Sequence, residues 1–167
     1  MSLALRRTTE RDLDFVCAAE TSEDNRAFVS VWTREQHINE LYDEDIAHLI
    51  IEKDDRRVGY LIVAGLSNEH QSVEFRRLVV TEKGSGIGRE VFRLVKRMAF
   101  EEFGAHRLWL DVKEFNKRAI SLYESEGFIV EGVMRECMKN GDEWESFILM
   151  SMLRHEYEAK SKAANRI

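Results

Sequence analysis

The chain predicts an α/β (α+β) fold: a mixed, mostly antiparallel sheet of six to seven strands with about four helices, in the order βααβββαβαββ. Three observations carry this. A glycine-rich run, Lys83-Gly84-Ser85-Gly86-Ile87-Gly88, joins an apolar strand end to an amphipathic helix and marks a strand–helix–strand unit. Two pairs of strand-like runs meet at short polar turns, Lys53-Asp54-Asp55-Arg56 and Asn140-Gly141, and read as antiparallel hairpins. The 167 residues hold no proline, repeat or low-complexity stretch to divide them. Residues 1–157 are therefore expected to form one domain and 158–167 a charged tail.

The elements follow in order. Residues 3–7 read as a first strand. Thr9 and Asp12 have capping-box spacing ahead of Leu13, Val16 and Cys17. Thr33 and Gln36 repeat that spacing ahead of Ile38, Leu41 and Tyr42, which are expected on one buried face. Residues 47–52 and 58–64 make the first hairpin. Residues 71–80 form a strand whose apolar phase slips: Val73 and Phe75 alternate, then Leu78, Val79 and Val80 are consecutive. A one-residue bulge near Arg76 and Arg77 explains the slip, and a consecutive apolar end suits burial on both faces.

The helix after the glycine run carries Ile87, Val91, Leu94, Val95, Met98 and Phe103 at helical spacing and stops at Gly104. Residues 107–112 are a strand. Asn116 caps a short helix with Ala119, Ile120, Leu122 and Tyr123 inside, closed by Gly127. Residues 128–138 and 143–152 are the closing strands. From Arg154 a charged helical tail is expected to fray.

Composition narrows the function. With 44% apolar and 34% charged residues the chain is globular, and no apolar run approaches the roughly 20 residues of a membrane helix. The first residues lack a signal-peptide core, so a cytoplasmic location is expected. Cys17 and Cys137 form no CxxC pair, and the five histidines show no ligand spacing, so no metal site is expected. The net charge of −6 is concentrated in residues 20–45, where eight acids face two bases. The remainder balances at 23 of each, which argues against a nucleic-acid partner.

Glycines at a strand-to-helix turn let a ligand approach the backbone, and the first helical N–H groups make an anion site. Three phosphate motifs compete. A Walker A loop requires Gly-Lys-Ser/Thr, which is absent. A dinucleotide fingerprint requires GxGxxG, whereas Gly84, Gly86 and Gly88 recur every second residue. Asp111, at the end of the next strand, stands where a ribose-binding acid belongs, but the chain closes in a hairpin rather than further βα units.

The third motif is [Gln/Arg]-x-x-Gly-x-[Gly/Ala] opening a helix. Together with Asn116-x-x-Ala119-x-x-Leu122-Tyr123-x-x-x-Gly127-Phe128, the run from Lys83 to Gly88 resembles the GNAT family of acetyl-CoA-dependent N-acetyltransferases, including its spermidine and ribosomal-protein alanine acetyltransferases. The element order resembles the family over nearly the whole chain. Lys83 departs from the usual Gln or Arg, and no proline precedes the turn.

The resemblance implies a coenzyme A site. Its pantetheine arm would lie along the backbone of Leu78, Val79 and Val80. Its diphosphate would meet the amides of Lys83, Gly84, Ser85, Gly86, Ile87 and Gly88, helped by Arg89. Asn116 matches a side-chain contact to the cofactor. Lys117 and Arg118 are either contacts to the adenosine phosphates or ordinary exposed helix charges. Acetyl-CoA is thus the expected co-substrate, with an amine as the other. The resemblance leaves room for a homodimer.

Acetyl transfer to an amine requires a deprotonated amine, a polarised thioester carbonyl and a stabilised thiolate. A backbone N–H near Val80 is placed to serve the oxyanion if the strands splay there. Tyr123 matches the family's proton donor to the thiolate; a core aromatic is the other reading. Glu74 is the first candidate base, against a solvent-facing strand glutamate, and ordered water is a third route. The acidic segment 20–45 is either a field for a cationic amine, with Trp32 as an aromatic wall, or a solvated helix face. The expected activity is direct N-acetyl transfer in a ternary complex. A non-catalytic acyl-CoA-binding regulator and a nucleotide-cofactor oxidoreductase are the competing readings.

Overall fold

A computed structural model describes residues 2–166. A seven-stranded sheet in the order β1-β2-β3-β4-β5-β7-β6 forms its centre. The strands are β1 (Leu3–Arg7), β2 (Ile46–Lys53), β3 (Arg56–Ala64), β4 (Ser72–Val80), β5 (Arg107–Lys113), β6 (Ile129–Asn140) and β7 (Glu143–Leu153). Every neighbouring pair is antiparallel except β4 and β5. Those two are parallel because α3 (Ile87–Arg97), extended by a π turn over Met98–Glu102, returns the chain between them.

Helices cover both faces. On one, Val91, Phe92 and Val95 of α3 pack with Leu61, Phe75, Leu108 and Leu110, and α4 (Lys117–Ser125) adds Ala119, Ile120 and Tyr123. On the other, α1 (Leu13–Thr21) and α2 (Arg34–Leu41) cover Ile50, Tyr60, Ile62 and Val79. Alternate residues of β3 feed the two layers, which is why that strand is apolar almost throughout.

Both capping pairs form. Thr9 N–H donates to Asp12 Oδ2 at 2.9 Å, and Thr33 N–H to Gln36 Oε1 at 2.7 Å, with Gln36 N–H returned to Thr33 Oγ1 at 3.2 Å. The expected bulge is also present: Ile62 pairs Arg77 while Val63 pairs Phe75, so Arg76 is the extra residue.

Three expectations need correction. Tyr42 is 72% exposed, and α2 buries His37 instead, because a polar network recruits the histidine inward. The second hairpin turns on Gly141-Asp142, not Asn140-Gly141: Asn140 pairs Glu143, and the lone positive φ at Gly141 fits a type II′ rather than a type I′ turn. Five α-helices are described, in keeping with the approximate count of four. The fifth, α5 (Arg154–Ala164), does not fray from Arg154, because Tyr157 stacks on Phe100 at 4.8 Å and donates to Glu101 at 2.6 Å.

Candidate active site

Parallel pairing of β4 with β5 runs only from Ser72↔Arg107 to Glu74↔Trp109. Beyond it the two strands separate. Thr81 N–H still bonds the Val58 carbonyl on β3. By strand alternation the Val79 backbone also faces β3, while the N–H and C=O of Leu78 and Val80 face the gap. A cleft of about 910 Å³ opens there, lined by Leu78 and Val80, the glycine turn, α4 and the segment joining α1 to α2.

The turn is built as an anion cradle. Gly84 and Gly86 both have φ +78°, a conformation closed to most side chains, and Gly86 is the N-cap of α3. The first helical bond runs from Glu90 N–H to the Gly86 carbonyl, so the amides of Ile87, Gly88 and Arg89 are left as free donors. A Cβ at Gly86 would meet nothing within 4 Å, so the space above the turn is open. The Arg118 guanidinium lies near the turn, 4.0 Å from where a Gly84 Cβ would stand.

Asn116 caps α4 by accepting from Ala119 N–H at 3.3 Å. One turn further, Tyr123 packs on Phe92 with ring centroids 4.9 Å apart. Its hydroxyl makes no hydrogen bond among the described residues, and burial pushes its pKa up to about 12. A protonated phenol therefore borders the cleft. These observations fit a ligand with a diphosphate at the turn, an amide-bearing arm along Leu78 and Val80, and a leaving group near Tyr123.

Most of the sequence-derived cofactor residues share this cleft: Leu78, Val80, Lys83, Gly84, Gly86, Ile87, Gly88, Arg89, Asn116 and Arg118, with Tyr123 beside them. Val79 turns its side chain into the opposite layer, Ser85 binds back to the Glu82 carbonyl at 2.9 Å, and neither borders the cleft. Arg89 is engaged by Glu126 Oε1 at 2.6 Å, a carboxylate shared with Lys96 and Arg93. Burial opposes ionisation of Glu126, but these hydrogen bonds outweigh it and lower its pKa.

Glu74 stands away from the cleft on the α1–α2 face of the sheet. Its carboxylate binds Arg76 at 3.0 Å, and Arg76 also reaches Glu40 at 3.2 Å. Asp111 belongs to the same face of β5 and has no ion pair or hydrogen bond among the described residues. Burial, then the charge of Glu74, raises its pKa. Strand parity with Trp109 is the sequence signal for that placement, hidden because the end of the strand suggested a ribose contact instead.

Five of the eight acids of segment 20–45, Glu23, Asp24, Glu35, Asp43 and Glu44, are exposed, and the other three are held within the fold. Glu20 is fully buried, and Asp45 binds Ser67 and Gly65. Trp32 does not stand free as an aromatic wall: the Arg77 guanidinium lies 4.0 Å over its ring. Phe28, Asn25 and Lys113 were not legible as site-forming residues, since no motif contains them.

A sheet split around a glycine cradle, with a protonated tyrosine at its edge, defines an acyl-coenzyme A transferase type of site. The sequence profile of the Acetyltransferase (GNAT) family matches residues 13–128, and the chain belongs to that family. It is an N-acetyltransferase whose acetyl donor is acetyl-CoA.

Over 96% of its length the chain is 27% identical to spermidine N(1)-acetyltransferase of Escherichia coli K12, covering 91% of that protein. It is 26% identical to the spermidine N(1)-acetyltransferase of Vibrio cholerae, covering 96% of this chain and 98% of that one. Among solved structures, the Vibrio cholerae spermidine N-acetyltransferase in complex with CoA and spermine superposes with a TM-score of 0.83. That match has 20% identity and covers 93% of this chain and 98% of the other. A dodecameric form of the same enzyme gives 0.80, at 21% identity over 95% and 98%.

Proposed function

We propose that this enzyme acetylates a cationic polyamine by direct attack within a ternary complex, with Tyr123 as the proton donor. Coenzyme A occupies the glycine turn and the exposed edge of β4. The acceptor approaches from the α1–α2 face, where Asp111 stands unpaired beside Glu74. The neutral amine attacks the thioester carbonyl, forming the C–N bond. The N–H groups of Leu78 and Val80 face the developing oxyanion. As the C–S bond breaks, the Tyr123 hydroxyl gives its proton to the departing sulfur. The proton lost from the amine passes to Glu74, directly or through ordered water.

The observation that carries the reading is the Tyr123 hydroxyl, which has no hydrogen-bond partner among the described residues, on a helix bordering the glycine cradle. For the acceptor, the support is the likeness to two spermidine acetyltransferases and an uncompensated carboxylate on the acceptor face. Residues 1–157 are read as one catalytic domain. A cytoplasmic location is supported by two unpaired cysteines, which suit a reducing compartment; no helix among the described residues is long and apolar enough to cross a membrane.

The test is acetyl-CoA-dependent thiol release across a panel of amines. Spermidine or spermine should give the highest kcat/KM. Preference for a neutral or acidic amine would overturn the acceptor assignment. Acetyl-CoA should raise Tm where NAD does not.

A further inference from the structure

Residues 22–30 pass between α1 and α2 as a run of turns bordering the cleft. The amides of Asn25 and Arg26 donate to the Ser22 carbonyl, and those of Phe28 and Val29 to the Asn25 carbonyl. Three other carbonyls, spaced three residues apart, take their donors from cations of the sheet. Lys83, after β4, donates to Asp24 O. Lys113, ending β5, donates to Ala27 O at 3.2 Å. Arg77, within β4, donates to Ser30 O at 2.6 Å.

The two lysines also lie over aromatic rings, Lys83 at 5.0 Å from Phe28 and Lys113 at 5.7 Å from Phe115. Those rings are themselves in contact, 5.9 Å between centroids. Asn25 adds a bond to the Val80 carbonyl at 3.2 Å, on the gap side of β4. Cations from both separated strands thus tie down one segment, which acts as a strap across the gap between them.

The three cations are not equivalent. Arg77 is also held by Glu20 at 3.0 Å, and Lys113 by Glu145 at 2.9 Å. Lys83 has no carboxylate in ion-pair range among the described residues, and it is the first residue of the glycine run. A diphosphate oxygen is a stronger partner for an ammonium than a neutral carbonyl. We infer that Lys83 is a positioning residue that couples the strap to the cofactor. When coenzyme A fills the cradle, its diphosphate draws the Lys83 ammonium away from Asp24. The strap is released at that end while Arg77 and Lys113 hold the other, and the acceptor side of the gap opens after the cofactor is seated. This rests on the placement of coenzyme A given above.

Hydrogen exchange at the amides of Asn25, Arg26, Phe28 and Val29 tests it, in the wild type, Lys83→Met and Lys83→Arg, each with and without coenzyme A. Met retains the apolar stem on Phe28 and removes the ammonium. Without ligand, Lys83→Met should exchange roughly three- to fivefold faster at these amides, the scale of one exposed charged contact. Coenzyme A should speed exchange there in the wild type and in Lys83→Arg, and leave Lys83→Met unchanged.

Equal exchange of wild type and Lys83→Met without ligand would show that Lys83 does not hold the strap. Equal slowing of all three proteins by coenzyme A would overturn the coupling. If the wild type binds no coenzyme A, the cofactor placement itself fails, and the coupling with it. The ligand-free comparison reads the Lys83 contact separately from that outcome.

Discussion

Tyr123 owes its proton to its surroundings. Phe92 and Phe128 flank the ring, and burial lifts the phenol to about 12. It therefore stays neutral across the pH range in which an amine loses its proton, and the alkaline limb of the rate profile should not reflect its ionisation. Tyr123→Phe removes one oxygen and keeps the packing. It should lower kcat by about 10²–10⁴-fold while the acetyl-CoA-induced rise in Tm persists, measured by single-turnover kinetics and thermal denaturation. A kcat within threefold of wild type would return Tyr123 to the core and leave the thiolate's proton to another donor. At this scale the motif residues were legible because fixed spacings report them. Asp111, Asn25 and Lys113 were not, since their roles come from contacts between distant segments.

The element that matters most to ligand binding is the junction of β4 and α3. Its backbone, not its side chains, makes the anion site, so the change that breaks it is one that alters conformation. Gly86→Val puts a β-branched residue at φ +78°, which costs about 1–2 kcal/mol, and places its methyls in the open space above the turn. The acetyl-CoA-induced Tm shift should vanish in this variant while the ligand-free Tm falls by only a few degrees; a retained shift would move the diphosphate elsewhere. The strand–turn–helix pattern made this junction readable from the sequence. The bulge in β4 was readable for a similar reason, since a slip in apolar phase leaves a trace. The inward turn of α2 left none, because His37 is buried by hydrogen bonds rather than by hydrophobicity.

Across the whole molecule, one buried polar chain links the cap to the sheet. Thr8 from the end of β1, His48 from β2, His37 from α2 and Glu20 from α1 stand in series, at 2.9, 3.1 and 2.7 Å. Tyr60 and Arg77 also donate to Glu20. A single tautomer set satisfies the series: the Thr8 hydroxyl donates to His48 Nδ1, His48 Nε2–H to His37 Nδ1, and His37 Nε2–H to the carboxylate. Burial opposes ionisation of Glu20, but hydrogen bonds from His37 and Tyr60 outweigh it and lower its pKa. Burial, then His37, lowers His48 to about 3 from 6.5.

The folded protein thus binds fewer protons at His48 than the unfolded chain between those values. Its contribution to stability is complete above pH 6.5 and is lost as pH falls toward 3. Urea denaturation should show stability declining from pH 6.5 to 4.5, approaching about 1.4 kcal/mol per pH unit from this group alone. That window lies above the ordinary carboxylate value of 4.5 for Glu20. A flat stability profile there would mean that His48 is protonated in the folded state.

The bulge at Arg76 also decides which length changes the sheet tolerates. With one residue added there, Arg77 faces the cap, where Glu20, Ser30 and Trp32 await it. Deleting Arg76 would restore regular pleating and keep the faces, with Phe75 and Leu78 beneath α3 and Arg77 still toward the cap, at the loss of the Arg76 bonds to Glu74 and Glu40. A substitution or a deletion at Arg76 thus removes the same ion pairs and leaves the two faces of the strand in place. Length at this point is therefore free to vary by the bulge residue, since the faces of β4 on either side are in phase without it.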